Sequence, residues 1–155
     1  LTLRLPADAA AAAARQQREV GGQTVADGRA ADSSILAYGG FWLLVDEAHI
    51  ATIATRPEWR GCGLALYLML ALLDAAMARG ARTSTLEVRA DNLPARRLYE
   101  KLGYAEAGRR RRYYRDGEDG VLMTTPVLTT PAMQERLAAA RQQALMKWAQ
   151  CLHYS

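Results

Sequence analysis

Between Ile35 and Thr125 the spacing of apolar residues switches repeatedly between two periods, and each switch marks an element. Before it, Leu1 to Leu5 (L-T-L-R-L) alternates and predicts a first strand. Pro6-Ala7-Asp8 reads as a helix start, ahead of an alanine-rich segment to about Val20 that Gly21-Gly22 ends. Gln23 to Ser34 carries turn formers around a short Thr24-Val25, a weak strand. Ile35 to Val45 is strand-like, and Gly39-Gly40 within it marks a bend or a close backbone approach. Asp46-Glu47-Ala48 is a turn, with His49 to Thr55 as the antiparallel return.

From Cys62 to Arg79 the chain is apolar nearly all round, as befits a helix buried against a sheet, and Arg79-Gly80 closes it. Thr83 to Arg89 alternates: Leu86 and Val88 face one side, Thr85, Glu87 and Arg89 the other. Asp91-Asn92 supplies a cap for a short helix with Leu98 and Leu102 on one stripe, ended by Gly103. Tyr104 to Tyr114 predicts a strand, Asp116-Gly117 a hairpin turn, and Val121 to Thr125 the last strand. Pro126 and Pro131 bracket a linker. Beyond it Met133, Leu137, Ala144, Trp148 and Leu152 recur at helical spacing. The sum is an α+β chain with antiparallel hairpins on either side of a helix-crossed centre, not a doubly wound sheet.

Composition narrows this little. The 155 residues suit one domain, and the net charge of +4, from 18 Arg and 2 Lys against 16 acids, permits an acidic partner without demanding one. Two cysteines, Cys62 and Cys151, make no disulfide framework and fit a reducing cytoplasm. No apolar run reaches the roughly 18 residues of a membrane span. The start lacks a secretory signal pattern and an initiator Met, as a trimmed chain would. His49 and His153 stand alone, so no metal is expected.

The candidate chemistry lies where the strand Ile50–Thr55 stops at Arg56-Pro57 and a helix begins after Arg60-Gly61-Cys62-Gly63-Leu64-Ala65. Strand, small-residue turn and buried helix aim several N–H groups at one spot, where the helix dipole adds positive charge; a phosphate or diphosphate suits it. A dinucleotide fingerprint fails because Leu66 stands where the third glycine belongs. Arg60, Gly63 and Ala65 instead fill [R/Q]-x-x-G-x-[G/A]. A glycine-rich turn that only packs a helix on a sheet is the bland alternative.

With that turn, the run L-E-V-R-A-D-N-L-P-A-R-R-L-Y-E-K-L-G-Y and the later R-Y-Y-R-D-G-E-D-G-V-L-M resemble the GCN5-related N-acetyltransferase (GNAT) superfamily, in its RimI-type branch that acetylates ribosomal-protein N-termini. The resemblance covers Tyr38 to about Thr125. It implies a mixed, mostly antiparallel sheet with a splayed central strand and flanking helices. It assigns residues 1–126 to the acetyltransferase domain, with 1–34 poorly defined. Residues 127–155 are left as linker and an extra amphipathic helix. The helical region before Ile35 is shorter than the family's, which bears on the acceptor groove.

The resemblance also implies roles. Acetyl-CoA is the cosubstrate, its diphosphate on the backbone of Arg60, Gly61, Cys62, Gly63, Leu64, Ala65 and Leu66. Its pantetheine arm runs along Ile53, Ala54 and Thr55 and meets Asn92. Glu87 is the base, through water, and Tyr99 the acid toward the sulfur; Tyr113 and Tyr114 hold the acceptor's first residues. Cys62 at a helix start could have a lowered pKa but is given no catalytic part. Each residue has a plainer alternative: Glu87 as a surface carboxylate paired with Arg89 or Arg97, Tyr99 as packing, Asn92 as a simple cap. Tyr113-Tyr114 reads equally as an aromatic edge, and Arg109–Arg112 reads best as a solvated one. The expected function is acetylation of a protein N-terminal α-amine, with a ribosomal protein as partner. The expected state is a cytoplasmic monomer or weak homodimer without direct nucleic-acid or membrane binding. Acetylation of lysine or a small amine, and a non-catalytic acyl-CoA-binding module, remain open beside it.

Overall fold

The structure is a computed structural model and describes residues 2–4 and 35–153. The alanine-rich helix and the weak Thr24-Val25 strand lie outside the described residues. Six strands form one sheet in the order β1-β2-β3-β4-β6-β5: β1 Thr2–Arg4, β2 Ile35–Leu44, β3 Glu47–Thr55, β4 Thr83–Arg89, β5 Ala105–Arg110 and β6 Gly120–Thr124. Among the described residues only β3 and β4 pair in parallel. That connection is made by helix α1, Leu64–Ala78; helix α2, Leu93–Lys101, joins β4 to β5, and helix α3, Pro131–His153, follows β6.

Each element follows from its residues, with a few departures. α1 begins two residues after Cys62 because Gly63 holds φ +81, outside the helical region. Its Leu68, Met69, Leu72 and Leu73 are fully buried. Gly39 makes room for them: a Cβ there would stand 3.0 Å from Leu72 Cδ1 and 3.1 Å from the Thr52 carbonyl, so the expected close approach is real. The β2–β3 turn is tighter than expected, because Val45 adopts φ +57 and lets Glu47 and Ala48 join the ladder. β5 stops at Arg110, short of the expected Tyr114. Arg112 turns to φ +50, and its N–H donates to Asp119 Oδ1 at 3.0 Å.

Leu86 and Val88 of β4 point into a single core cluster with Leu72 of α1, Tyr99 of α2, and Met133 and Leu137 of α3. Polar pegs fix β4 from the side. Ser84 Oγ donates to the Ala48 carbonyl at 3.0 Å and meets the buried Tyr104 hydroxyl at 2.6 Å. The tail helix follows the expected stripe through Met133, Leu137 and Ala144 but not to its end, since Leu152 is exposed.

One expectation about covalent structure is overturned. Cys62 and Cys151 form a disulfide across 89 positions, with Cα atoms 5.5 Å apart. Their separation hid the pairing: the docking of α3 on α1 brings the two together, and no local pattern encodes it.

Candidate active site

β3 accompanies β4 only from Glu47↔Thr83 to Ile50↔Leu86. On its other side the pairing passes from Phe41↔Ile50 to Gly40↔Thr52, so Ala51 is an extra residue. A bulge of this kind bends the strand. Beyond it Thr52–Thr55 stay with β2 while β4 stays with β6, and the sheet forks.

The fork opens into a cleft of about 750 Å³. Ile53, Ala54 and Thr55 line it from β3; Arg60, Gly61 and Gly63 from the loop; Leu64, Ala65 and Leu66 from the first turn of α1; Asn92 and Tyr99 from α2. The sequence-predicted coenzyme residues thus share one wall system, with one exception. Cys62 is buried and bonded to Cys151, does not line the cleft, and has no free thiol.

The loop's hydrogen bonds leave room for a ligand. Arg60 N–H donates to the Pro57 carbonyl and Tyr67 N–H to the Gly63 carbonyl. The first-turn amides of α1 have no intrahelical acceptor, and no side chain caps them. The loop's two glycines differ in use. A Cβ on Gly61 would meet nothing within 4 Å, so that position is open. At Gly63 the same atom would stand 2.9 Å from the Ala144 carbonyl, so the space belongs to α3 and not to a ligand.

The electrostatics are one-sided. Arg60, Arg97, Lys101 and Lys147 line the cleft, and among the described residues no carboxylate does. Thr55 Oγ1 is buried there without a partner among the described residues. Tyr99 is 7% exposed and its ring meets Tyr104 edge-on at 5.9 Å. Burial raises the Tyr99 pKa, so the phenol keeps its proton through neutral pH. Leu98 is less buried than Tyr99, packs against the core and lines the cleft beside it, so the two share both surroundings. Asn92 caps α2, its Oδ1 accepting the Ala95 N–H at 3.2 Å, while lining the cleft.

Glu87 lies elsewhere. It points away from Leu86 and Val88, so its face of β4 is not the cleft face. Its partner is Arg110, Nη1 to Oε1 at 3.3 Å, and not Arg89 or Arg97. It is also the first β4 residue past the last β3 pair, at the crotch of the fork. Around it Arg110 stacks on Tyr113 at 5.3 Å and Arg89 on Tyr114 at 4.8 Å. Arg89 is itself held by Asp91 and Asp116 at 3.0 and 2.6 Å. Burial first, then the Glu87 charge, raises the Tyr114 pKa. The arginine run is therefore tied down in part, since Arg109 also bonds Glu106 and Asp119. The sheet thus carries a cationic cleft on one face, a carboxylate–aromatic cluster on the other, and a fork between.

The chain belongs to the acetyltransferase family described as Acetyltransferase (GNAT), whose sequence profile matches residues 6–104. It is similar to the ribosomal protein bS18-alanine N-acetyltransferase of Salmonella typhimurium, 39% identical over 100 residues, 63% of this chain and 68% of that one. A Bacillus subtilis protein provisionally given the same name is 40% identical over 93 residues, 59% of this chain and 62% of that one. The match spans less than two thirds of the Bacillus subtilis relative's length and just over two thirds of the Salmonella typhimurium one's. Among solved structures, the ribosomal-protein-S18-alanine N-acetyltransferase from Escherichia coli superposes with a TM-score of 0.58 at 31% identity, over 82% of this chain and 93% of that one. The mixed α+β fold expected from the resemblance is the fold observed.

Three cleft features went unread in the sequence. Trp59 lines the cleft from the turn after β3, and its ring lies 5.7 Å from Trp148. Arg97 and Lys101 project from α2 with the 3.6-residue period, a signal that was available. Lys147 comes from α3, and only the packing of that helix brings it in.

Proposed function

We propose that the chain transfers the acetyl group of acetyl-CoA to the α-amino group at a protein N-terminus, with a ribosomal protein as the acceptor. What carries the reading is the fork itself. A cleft with unaccepted amides and four cations opens on one side of it, and a carboxylate stands at its crotch on the other. Coenzyme A, with its diphosphate and ribose phosphate, suits a cleft lined by cations and no acids. A diphosphate suits the first turn of α1, where N–H groups and the helix dipole converge. The orphan Thr55 hydroxyl fits a polar pantetheine arm laid along β3, which would give it a partner.

In this reading the thioester reaches the fork, and the acceptor arrives from the Glu87 face between Tyr113 and Tyr114. An α-amine with a pKa near ~8 needs little help, and Glu87 takes its proton through water. The amine attacks the thioester carbon, forming the C–N bond. An N–H of the splayed strand holds the oxyanion. As the C–S bond breaks, Tyr99, kept neutral by burial, presents its proton to the sulfur. The reading places the reaction in the cytoplasm, although the Cys62–Cys151 bond removes the support that free cysteines gave to that location.

The test is thiol release from acetyl-CoA with a panel of N-terminal peptides, lysine peptides and polyamines. Turnover on N-terminal peptides alone, lowered roughly 10²–10⁴-fold in Glu87→Gln and Tyr99→Phe, supports the proposal. Turnover confined to lysine peptides or polyamines assigns a different acceptor. Coenzyme binding without turnover on any of them makes the chain a binding module and defeats it.

A further inference from the structure

The tail helix is more than an appendage. Its backbone lies against the diphosphate loop, the Ala144 carbonyl and Lys147 Cβ being 2.9 and 3.1 Å from where a Gly63 Cβ would stand. Three ties hold it: the Cys62–Cys151 disulfide, the Trp59–Trp148 ring contact at 5.7 Å, and the Arg141–Asp74 pair at 2.6 Å. Met133, Leu137, Ala140 and Ala144 fix its rotation by burial. Lys147, three residues past Ala144, therefore faces the same side and lines the cleft.

We propose that α3 is a wall of the coenzyme cleft, that Lys147 binds the coenzyme's diphosphate opposite Arg60, and that the Cys62–Cys151 bond positions it there. The proposal rests on the coenzyme reading above. Lys147 and Arg60 have no carboxylate partner among the described residues, so two unneutralised cations flank amides that lack acceptors. A dianion between them satisfies both sets at once. The disulfide also makes the wall sensitive to redox state. A dithiol reductant donates two electrons and two protons, the S–S bond breaks to two thiols, and the dithiol closes to its own disulfide. α3 then keeps its apolar contacts but loses the covalent tie beside Lys147.

The experiment is calorimetric or displacement titration of the full chain with coenzyme A, dephospho-coenzyme A (no ribose 3′-phosphate) and pantetheine (no phosphate). Each is run on wild type and Lys147→Gln, with and without dithiothreitol. Lys147 is exposed, and its replacement leaves the core untouched. The expected result is about a fivefold weaker affinity of Lys147→Gln for both phosphorylated ligands at low salt, none for pantetheine, and a shrinking effect as salt rises. Dithiothreitol weakens the same two ligands in wild type and adds nothing in Lys147→Gln. Loss for coenzyme A but not for its dephospho form overturns the diphosphate assignment, and equal loss for pantetheine or no loss overturns the role of Lys147. A dithiothreitol effect of the same size in both proteins overturns the positioning role of the disulfide. Wild type that binds neither phosphorylated ligand defeats the coenzyme reading itself, whereas wild-type binding indifferent to Lys147 defeats only this proposal.

Discussion

Gly61 and Gly63 offer a matched pair for testing how the loop is built. Both hold a left-handed backbone, at φ +84 and +81, so replacing either by alanine incurs the same conformational penalty, about 1–2 kcal/mol. They differ in surroundings. The new Cβ at position 61 meets nothing within 4 Å, whereas at 63 it meets the Ala144 carbonyl at 2.9 Å and Lys147 Cβ at 3.1 Å. The Ala144 oxygen is backbone of a helix pinned at Arg141 and Cys151, so it yields only if α3 shifts. Overpacking of that kind costs about 1–3 kcal/mol more. Gly63→Ala should therefore destabilise the protein by roughly 2–5 kcal/mol and Gly61→Ala by roughly 1–2. Urea unfolding followed by Trp fluorescence gives both numbers, and Trp59 and Trp148 report the junction directly. Equal midpoints for the two variants, or a milder effect at 63, would refute the packing of α3 on the loop.

Other consequences are simpler to check. Val45 sits at the first position of a two-residue hairpin turn with φ +57 and is almost wholly exposed, a place that favours glycine, so Val45→Gly should raise stability by up to about 1 kcal/mol in the same urea assay. Asn92→Ala removes the cap on α2 and should cost about 1 kcal/mol, with a separate loss of coenzyme affinity if its side chain also meets the ligand. Reducing Cys62–Cys151 opens a loop spanning 89 positions and should lower stability by about 3–5 kcal/mol; an unchanged urea midpoint under dithiothreitol would show that the bond does not form. The Tyr99 pKa is raised by burial, so stability is full below the phenol's ordinary pKa of about 10 and falls as pH rises through the higher folded value. Turnover should accordingly rise as the acceptor amine loses its proton near ~8 and show no phenol-linked decline until above ~10; a decline below that range argues against Tyr99 as the acid.

The sequence made some of this plain and concealed the rest for physical reasons. Thr83–Arg89 has the bounds that its alternation predicted, although burial alternates only from Leu86 onward, since Ser84, Thr85 and Leu86 are all buried. Asn92 announced its own helix, since capping is local chemistry. The fork was expected only through family resemblance: a bulge at Ala51 leaves no pattern when the residues around it are all small or β-branched. Alternation likewise placed Glu87 opposite Leu86 and Val88 but could not say which face held the cleft, and the cleft proved to be on the other one. Lys147 and the Cys62–Cys151 bond were illegible because both arise from where a helix docks, a property of the assembled core. The need for glycine at 63 was illegible for the same reason, the space of its missing Cβ being occupied by α3.

A crystal structure of the chain with coenzyme A bears most directly on the whole. The account requires the diphosphate oxygens within about 3 Å of the N–H groups that open α1, the pantetheine arm beside Thr55, and the sulfur at the fork between Glu87 and Tyr99. Coenzyme bound elsewhere, or bound with its sulfur turned away from the end of the β3–β4 pairing, would contradict it.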